Sequence, residues 1–95
     1  MGGFIAFPVP YNPKKGVMKI ENRGTAVTYG RGEFIVYDVN GDHVFTKSFS
    51  SDITFWNGRN TRGEYVKPGL YLIKLEVEND TGKFGKKVIR ILVKY

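Results

Sequence analysis

Residues 55–71 read FWNGRNTRGEYVKPGLY and hold the chain's single tryptophan, Trp56. Among glycine, asparagine, arginine and tyrosine, Trp56 has two readings. It is either a platform on which a sugar or a base stacks, or an anchor that closes the core of a small β domain. The stretch itself favours the anchor. Ile53, Thr54 and Phe55 lead into Trp56 as a strand would, whereas Asn57, Arg59, Asn60 and Arg62 have the composition of a turn. Pro68-Gly69 then redirects the chain into a run that begins Leu70-Tyr71.

Outward from this stretch the pattern is all-β. Gly or Pro interrupts almost every candidate helix, and β-branched and aromatic residues dominate the apolar set. Downstream, Tyr71, Ile73, Leu75 and Val77 alternate with Leu72, Lys74 and Glu76, and Ile89, Ile91 and Val93 alternate with Arg90, Leu92 and Lys94. That is the two-residue period of half-buried strands, and Asn79-Asp80-Thr81-Gly82 reads as the turn between them. Upstream, residues 33–39 (EFIVYDV) and 43–49 (HVFTKSF) flank Asn40-Gly41, a strong hairpin signal for which a type I′ turn is expected. Residues 17–21 (VMKIE) and 52–56 (DITFW) are further strands, 25–29 a short extended piece, and 64–66 a short edge segment. About seven strands with turn signals every ~8 to 12 residues predict an all-β fold, an immunoglobulin or fibronectin III-like sandwich of antiparallel strands. The domain is expected over residues 10–95. Residues 1–9 read as a linker or an edge lead-in, with Phe4, Ile5 and Phe7 packing partly on the body.

Composition narrows function mainly by exclusion. With 95 residues, 7 Phe, 6 Tyr and 1 Trp, the chain builds one aromatic-rich core. Cysteine is absent, so disulfides and thiolate metal sites are ruled out. No apolar run of ~18 residues provides for membrane insertion, and the start MGGFIAFPVP has neither a basic region nor a cleavage site for export. The formal charge of +6 is spread along the chain without a block of like charges, which argues against nucleic acid as partner. One histidine, His43, and three serines at 48, 50 and 51 supply no nucleophile, base and orienter at a recognisable spacing. Asp38-Val39-Asn40-Gly41-Asp42 imitates the start of a calcium loop. His43 stands where that loop needs glycine and Phe49 where it needs glutamate, so a hairpin turn accounts for the same residues. The expectation is a non-enzyme without cofactor or metal.

Four elements in order carry a family resemblance: Pro-Tyr-Asn-Pro at 10–13, IVYDVNGDHVF at 35–45, TFWNGRNTRGEYVKPGLYLIKLEV at 54–77 and KKVIRILVKY at 86–95. Together they resemble the immunoglobulin-like domain of the flagellar hook-capping protein and the C-terminal sorting domains of the type IX secretion system. Asn57 stands where the family pattern has Asp, and Lys67-Pro68 replaces a small residue before Gly69. The resemblance implies that Trp56 is a core anchor with its indole N–H bonded inside the sandwich. It implies that Asn40, Gly41, Gly58, Asn60 and Gly63 build tight connections, with Pro68, Gly69 and Tyr71 opening the next strand. It further implies a non-catalytic accessory, sorting or assembly module of a larger exported or cell-surface bacterial protein, acting through protein contacts. The recognised element is expected in residues 86–95, through Lys86, Lys87, Arg90 and Lys94. The rivals are a flagellar hook-cap assembly domain and a carbohydrate-binding module that stacks a polysaccharide on Tyr11, Tyr29, Tyr65 and Trp56.

Overall fold

The computed structural model describes residues 3–23, 29–79 and 84–95. Among these residues seven strands follow in order: β1 (Phe4–Phe7), β2 (Met18–Asn22), β3 (Tyr29–Asp38), β4 (His43–Phe49), β5 (Ile53–Trp56), β6 (Gly69–Asn79) and β7 (Phe84–Val93). They form a three-stranded sheet, β1-β2-β5, and a four-stranded sheet, β4-β3-β6-β7, with neighbouring strands antiparallel throughout. The protein is therefore a seven-stranded β-sandwich of the immunoglobulin and fibronectin III kind.

The alternation legible in the sequence places the core between the sheets. Tyr71, Ile73, Leu75 and Val77 of β6 are buried while Leu72, Lys74 and Glu76 are half-buried on the opposite face, and on β7 Ile91 and Val93 are buried while Arg90 and Leu92 are exposed. From the other sheet Phe4, Met18, Ile20 and Trp56 meet this layer. No buried side-chain nitrogen or oxygen among the described residues lacks a hydrogen-bond partner, as expected of a well-packed interior.

Several features refine the sequence reading or differ from it. Phe4–Phe7 is an edge strand, paired from Phe4↔Asn22 to Phe7↔Lys19, and Phe4 is fully buried. Prolines 8 and 10, each preceded by a cis bond, follow it, and Tyr11 then pairs in parallel with Val93. The lead-in thus starts on one sheet and ends on the other. Residues 64–66 form no strand, only an isolated bridge between Arg59 and Tyr65, because the loop is held by side-chain caps described below. The strand expected from 33 begins at Tyr29, while residues 25–28 of the expected extended piece and residues 80–82 of the expected turn lie outside the described residues.

The hairpin at Asn40-Gly41 is not type I′, which would need left-handed backbone at both residues. Gly41 has φ 85°, and no described residue other than glycine has positive φ. The cause is Asp38, whose Oδ1 accepts the amides of Asn40 (2.9 Å) and Asp42 (3.0 Å), while its carbonyl accepts the amide of Gly41 (3.0 Å). This produces a three-residue loop with one left-handed glycine.

Candidate functional site

Trp56 lies at the end of β5, fully buried, and its indole N–H donates to the Arg59 carbonyl at 3.0 Å. The ring is flanked by Tyr11, centroid to centroid 5.9 Å, and by Tyr71 at 6.2 Å, both tilted. The Tyr11 hydroxyl lies 2.9 Å from the Gly16 carbonyl and 3.1 Å from the Trp56 carbonyl, donating to one at a time. Tyr71 donates to the Lys67 carbonyl at 2.7 Å, four residues back, in the manner of the tyrosine corner of such sandwiches. Burial of these phenols disfavours their anions, which pushes Tyr11 up to about 12 and raises Tyr71 as well.

Trp56 thus sits where the anchor reading puts it, and the rival stacking platform has no accessible ring at Trp56 or Tyr11, which are 0% and 1% exposed. Tyr65 is 41% exposed, but the Arg59 guanidinium covers its ring at 4.1 Å and donates to the Gly63 carbonyl at 2.7 Å. Tyr29 opens β3, and its side chain is not among those described.

After Trp56 the chain repeats a device. Asn60 Oδ1 accepts the amides of Arg62 (2.9 Å) and Glu64 (3.1 Å), the Asn60 amide donates to the Glu64 carbonyl, and the Gly63 amide donates to the Asn60 carbonyl. Residues 60–64 (NTRGE) thus reproduce the bonding of residues 38–42 (DVNGD), with Gly63 at φ 79° in the place of Gly41. The Thr61 amide donates to the Val44 carbonyl and ties this loop to the start of β4. The shared spacing, Asp or Asn, two residues, Gly, then an acid, was available in the sequence, although reading each loop separately hides it. Between the loops, Gly58 has φ 73°, and a Cβ there would overlap Pro13 and crowd Tyr11 Cε2 at 3.2 Å. Asn40, Gly41, Gly58, Asn60, Gly63 and Tyr71 are thus assembled around one end of the sandwich. Exposed Pro68 leads into Gly69, which opens β6 with φ 148°.

Among the described residues no group of three His, Cys, Asp or Glu is placed to hold a metal ion. A depression at the far end of the four-stranded sheet is lined by Arg31, Glu33, Ser48, Glu76, Glu78 and Lys86 among others. Its charges are partly spent on one another, in the Arg31–Glu78 pair at 2.7 Å and the neighbouring Lys74–Glu76 pair at 3.1 Å. No described helix is long and apolar enough to cross a membrane.

What the sandwich does present is an edge. Strand β7 borders the four-stranded sheet, and residues 84–95 carry Lys86, Lys87, Arg90 and Lys94 with no acidic residue. Lys86, Arg90 and Lys94 are exposed. Lys87, expected among them, faces the other way, and its Nζ donates to the Phe4 carbonyl at 2.6 Å. It fastens β7 to β1 and is removed from the candidate surface, because odd-numbered residues of β7 point between the sheets.

Residues 7–91 match the family described as secretion system C-terminal sorting domain. The chain belongs to this family. Comparison with curated protein sequences returns no match. Solved structures that resemble this sorting domain include PorZ, a surface component of the type IX secretion system of Porphyromonas gingivalis (TM-score 0.68, 23% identity, 98% of this chain and 12% of that one). Dimeric latent PorU from the same organism is similar (TM-score 0.69, 18% identity, 96% of this chain and 9% of that one). So is FlgD from P. aeruginosa (TM-score 0.63, 17% identity, 95% of this chain and 72% of that one). At these identities the likeness establishes the fold of the sorting domain, which spans about a tenth of the two Porphyromonas chains.

Proposed function

We propose that this domain is the non-catalytic C-terminal sorting module of a larger exported protein, read by a type IX secretion apparatus through the exposed edge and outer face of its terminal strand. The observation that carries this reading is the family match over residues 7–91, joined to a molecule in which Trp56, Tyr11 and Tyr71 are spent on packing. An unpaired strand at a sheet border is a ready template for another chain. The basic residues of β7 add attraction toward acidic partners at encounter. The cell surface is then the destination of the parent protein, with this domain as its address. Carbohydrate stacking loses its support with the burial of Trp56 and Tyr11, and the hook-cap resemblance extends to the fold alone.

The test is a reporter carrying an inner-membrane export signal at its front and residues 1–95 at its end. It is expressed in a bacterium with a type IX system and in the same strain lacking it. The reporter is expected outside the first strain and in the periplasm of the second. Periplasmic retention in both would defeat the sorting reading.

A further inference from the structure

The two borders of the four-stranded sheet are unequal. On β4 the outward side chains are His43, Thr46 and Ser48, all polar, and the Val44 carbonyl is bonded by Thr61. The Lys47 ammonium also reaches the Phe55 carbonyl at 3.3 Å, bridging that border to β5. On β7 the Tyr11 amide donates to the Leu92 carbonyl (2.8 Å) and the Lys94 amide to the Tyr11 carbonyl (2.9 Å). These two bonds show that the even-numbered residues of β7 aim their backbone groups away from β6, since the groups of an antiparallel strand alternate between its two sides. By the same alternation the amides and carbonyls of Lys86, Val88 and Arg90 point outward. Among the described residues no backbone group bonds to them there. The edge accepts a strand at one end, at Tyr11, and stands open over residues 86–90.

The side chains flanking this opening have a definite chemistry. Lys86, Val88, Arg90 and Leu92 share the outer face, with Val88 59% and Leu92 45% exposed. Neither Lys86 nor Arg90 takes part in an ion pair among the described residues. Arg90 stands opposite Leu72 and Val88 opposite Lys74, so the sheet offers Arg90 no acid directly across from it, whereas Lys86 faces Glu76. Basic residues alone serve to keep an edge from aggregating. The exposed valine between them adds apolar contact area to the same edge.

We infer that residues 86–90 of β7 accept an extended acidic segment of a partner protein as an added strand, with carboxylates opposite Lys86 and Arg90 and an apolar side chain opposite Val88. A second copy of this chain fits poorly. Antiparallel pairing of two β7 strands about Val88 sets Lys86 against Arg90 twice, and like charges directly opposite are destabilising. The inference rests on the sorting reading for its biological setting, but its physical content is tested apart from export.

The experiment follows backbone amide exchange by NMR in the 95-residue domain. Two synthetic seven-residue peptides are titrated, one alternating Thr with Glu, Val and Glu, the other carrying Lys in place of both Glu. The glutamate peptide is expected to slow exchange at Val88 and Arg90 and to leave β4 unchanged, while the lysine peptide has no effect. Arg90→Glu should weaken the glutamate peptide on the order of 10-fold, from one attractive pair replaced by a repulsive one. Val88→Pro should abolish binding with the fold intact, because proline is tolerated where the N–H faces away from the ladder. Equal binding of both peptides, protection on β4, or a concentration-dependent dimer protecting Val88 without peptide would overturn the inference. In the export assay, failure of the unsubstituted fusion counts against the sorting reading, whereas export of the Val88→Pro fusion at the unsubstituted level counts against strand addition alone.

Discussion

Around Trp56 nearly every polar group is already engaged: an indole, two phenols, two looped carboxamide or carboxylate oxygens and a guanidinium all bond to backbone within the domain. Along β7 the opposite holds, since three residues keep backbone groups and two cations without partners in the described structure. The first region has the richer chemistry and the second the plainer sequence. The contrast teaches that side-chain variety in this small domain marks where the fold is closed, whereas the plainer strand leaves a ladder unclosed.

The contrast is broken most severely by Trp56→Ala. Removing the ring empties the centre of the Tyr11–Trp56–Tyr71 cluster, with an expected loss of about 3 to 5 kcal/mol, measured by urea unfolding. A loss under about 1 kcal/mol would place the anchor elsewhere. Gly58→Ala comes next, at roughly 1 to 3 kcal/mol, because the added methyl meets Pro13 and sits on left-handed backbone.

Alkaline pH loosens the same end without mutation. Tyr11 is held near 12 by burial against an ordinary value of 10.0. The unfolded phenol therefore ionises first, and stability falls as pH rises from about 10 to about 12. The fall is roughly 2 kcal/mol for this group. Tyr11→Phe should flatten that part of the pH–stability curve; an unchanged slope would show that the phenol is not the group responsible. Smaller still, Asp38→Ala and Asn60→Ala each withdraw the acceptor of two loop amides, costing about 1 kcal/mol apiece. Similar values for the two would support their being one loop used twice.

Much of this was readable beforehand, for physical reasons that differ by region. The alternation of Tyr71, Ile73, Leu75 and Val77 identified β6 and its inner face, because burial between two sheets imposes a two-residue period. Trp56 declared itself by its place at the end of a strand. The hairpin at residues 38–42 was located correctly but given the wrong turn, since Asn-Gly describes the tip while the conformation is set by the Asp38 carboxylate. Tyr11 reads as a stacking candidate, and nothing local shows that it packs on a residue forty-five positions away. Lys87 was grouped with its basic neighbours, though strand parity alone turns it toward Phe4. The openness of residues 86–90 could not be read from β7 itself, because it depends on where the chain before β2 runs.

A modest expected change in stability carries the largest consequence for function. Export of a reporter fused to the domain, measured side by side for the unsubstituted chain and for Val88→Pro alongside their unfolding midpoints, tests the division between a closed end and an open edge. Val88→Pro is expected to keep the fold at a cost of about 1 kcal/mol, because the residue stands opposite Lys74 in the ladder but its N–H faces outward, yet to leave the reporter in the periplasm. A Val88→Pro fusion that is folded and equally exported would contradict that division.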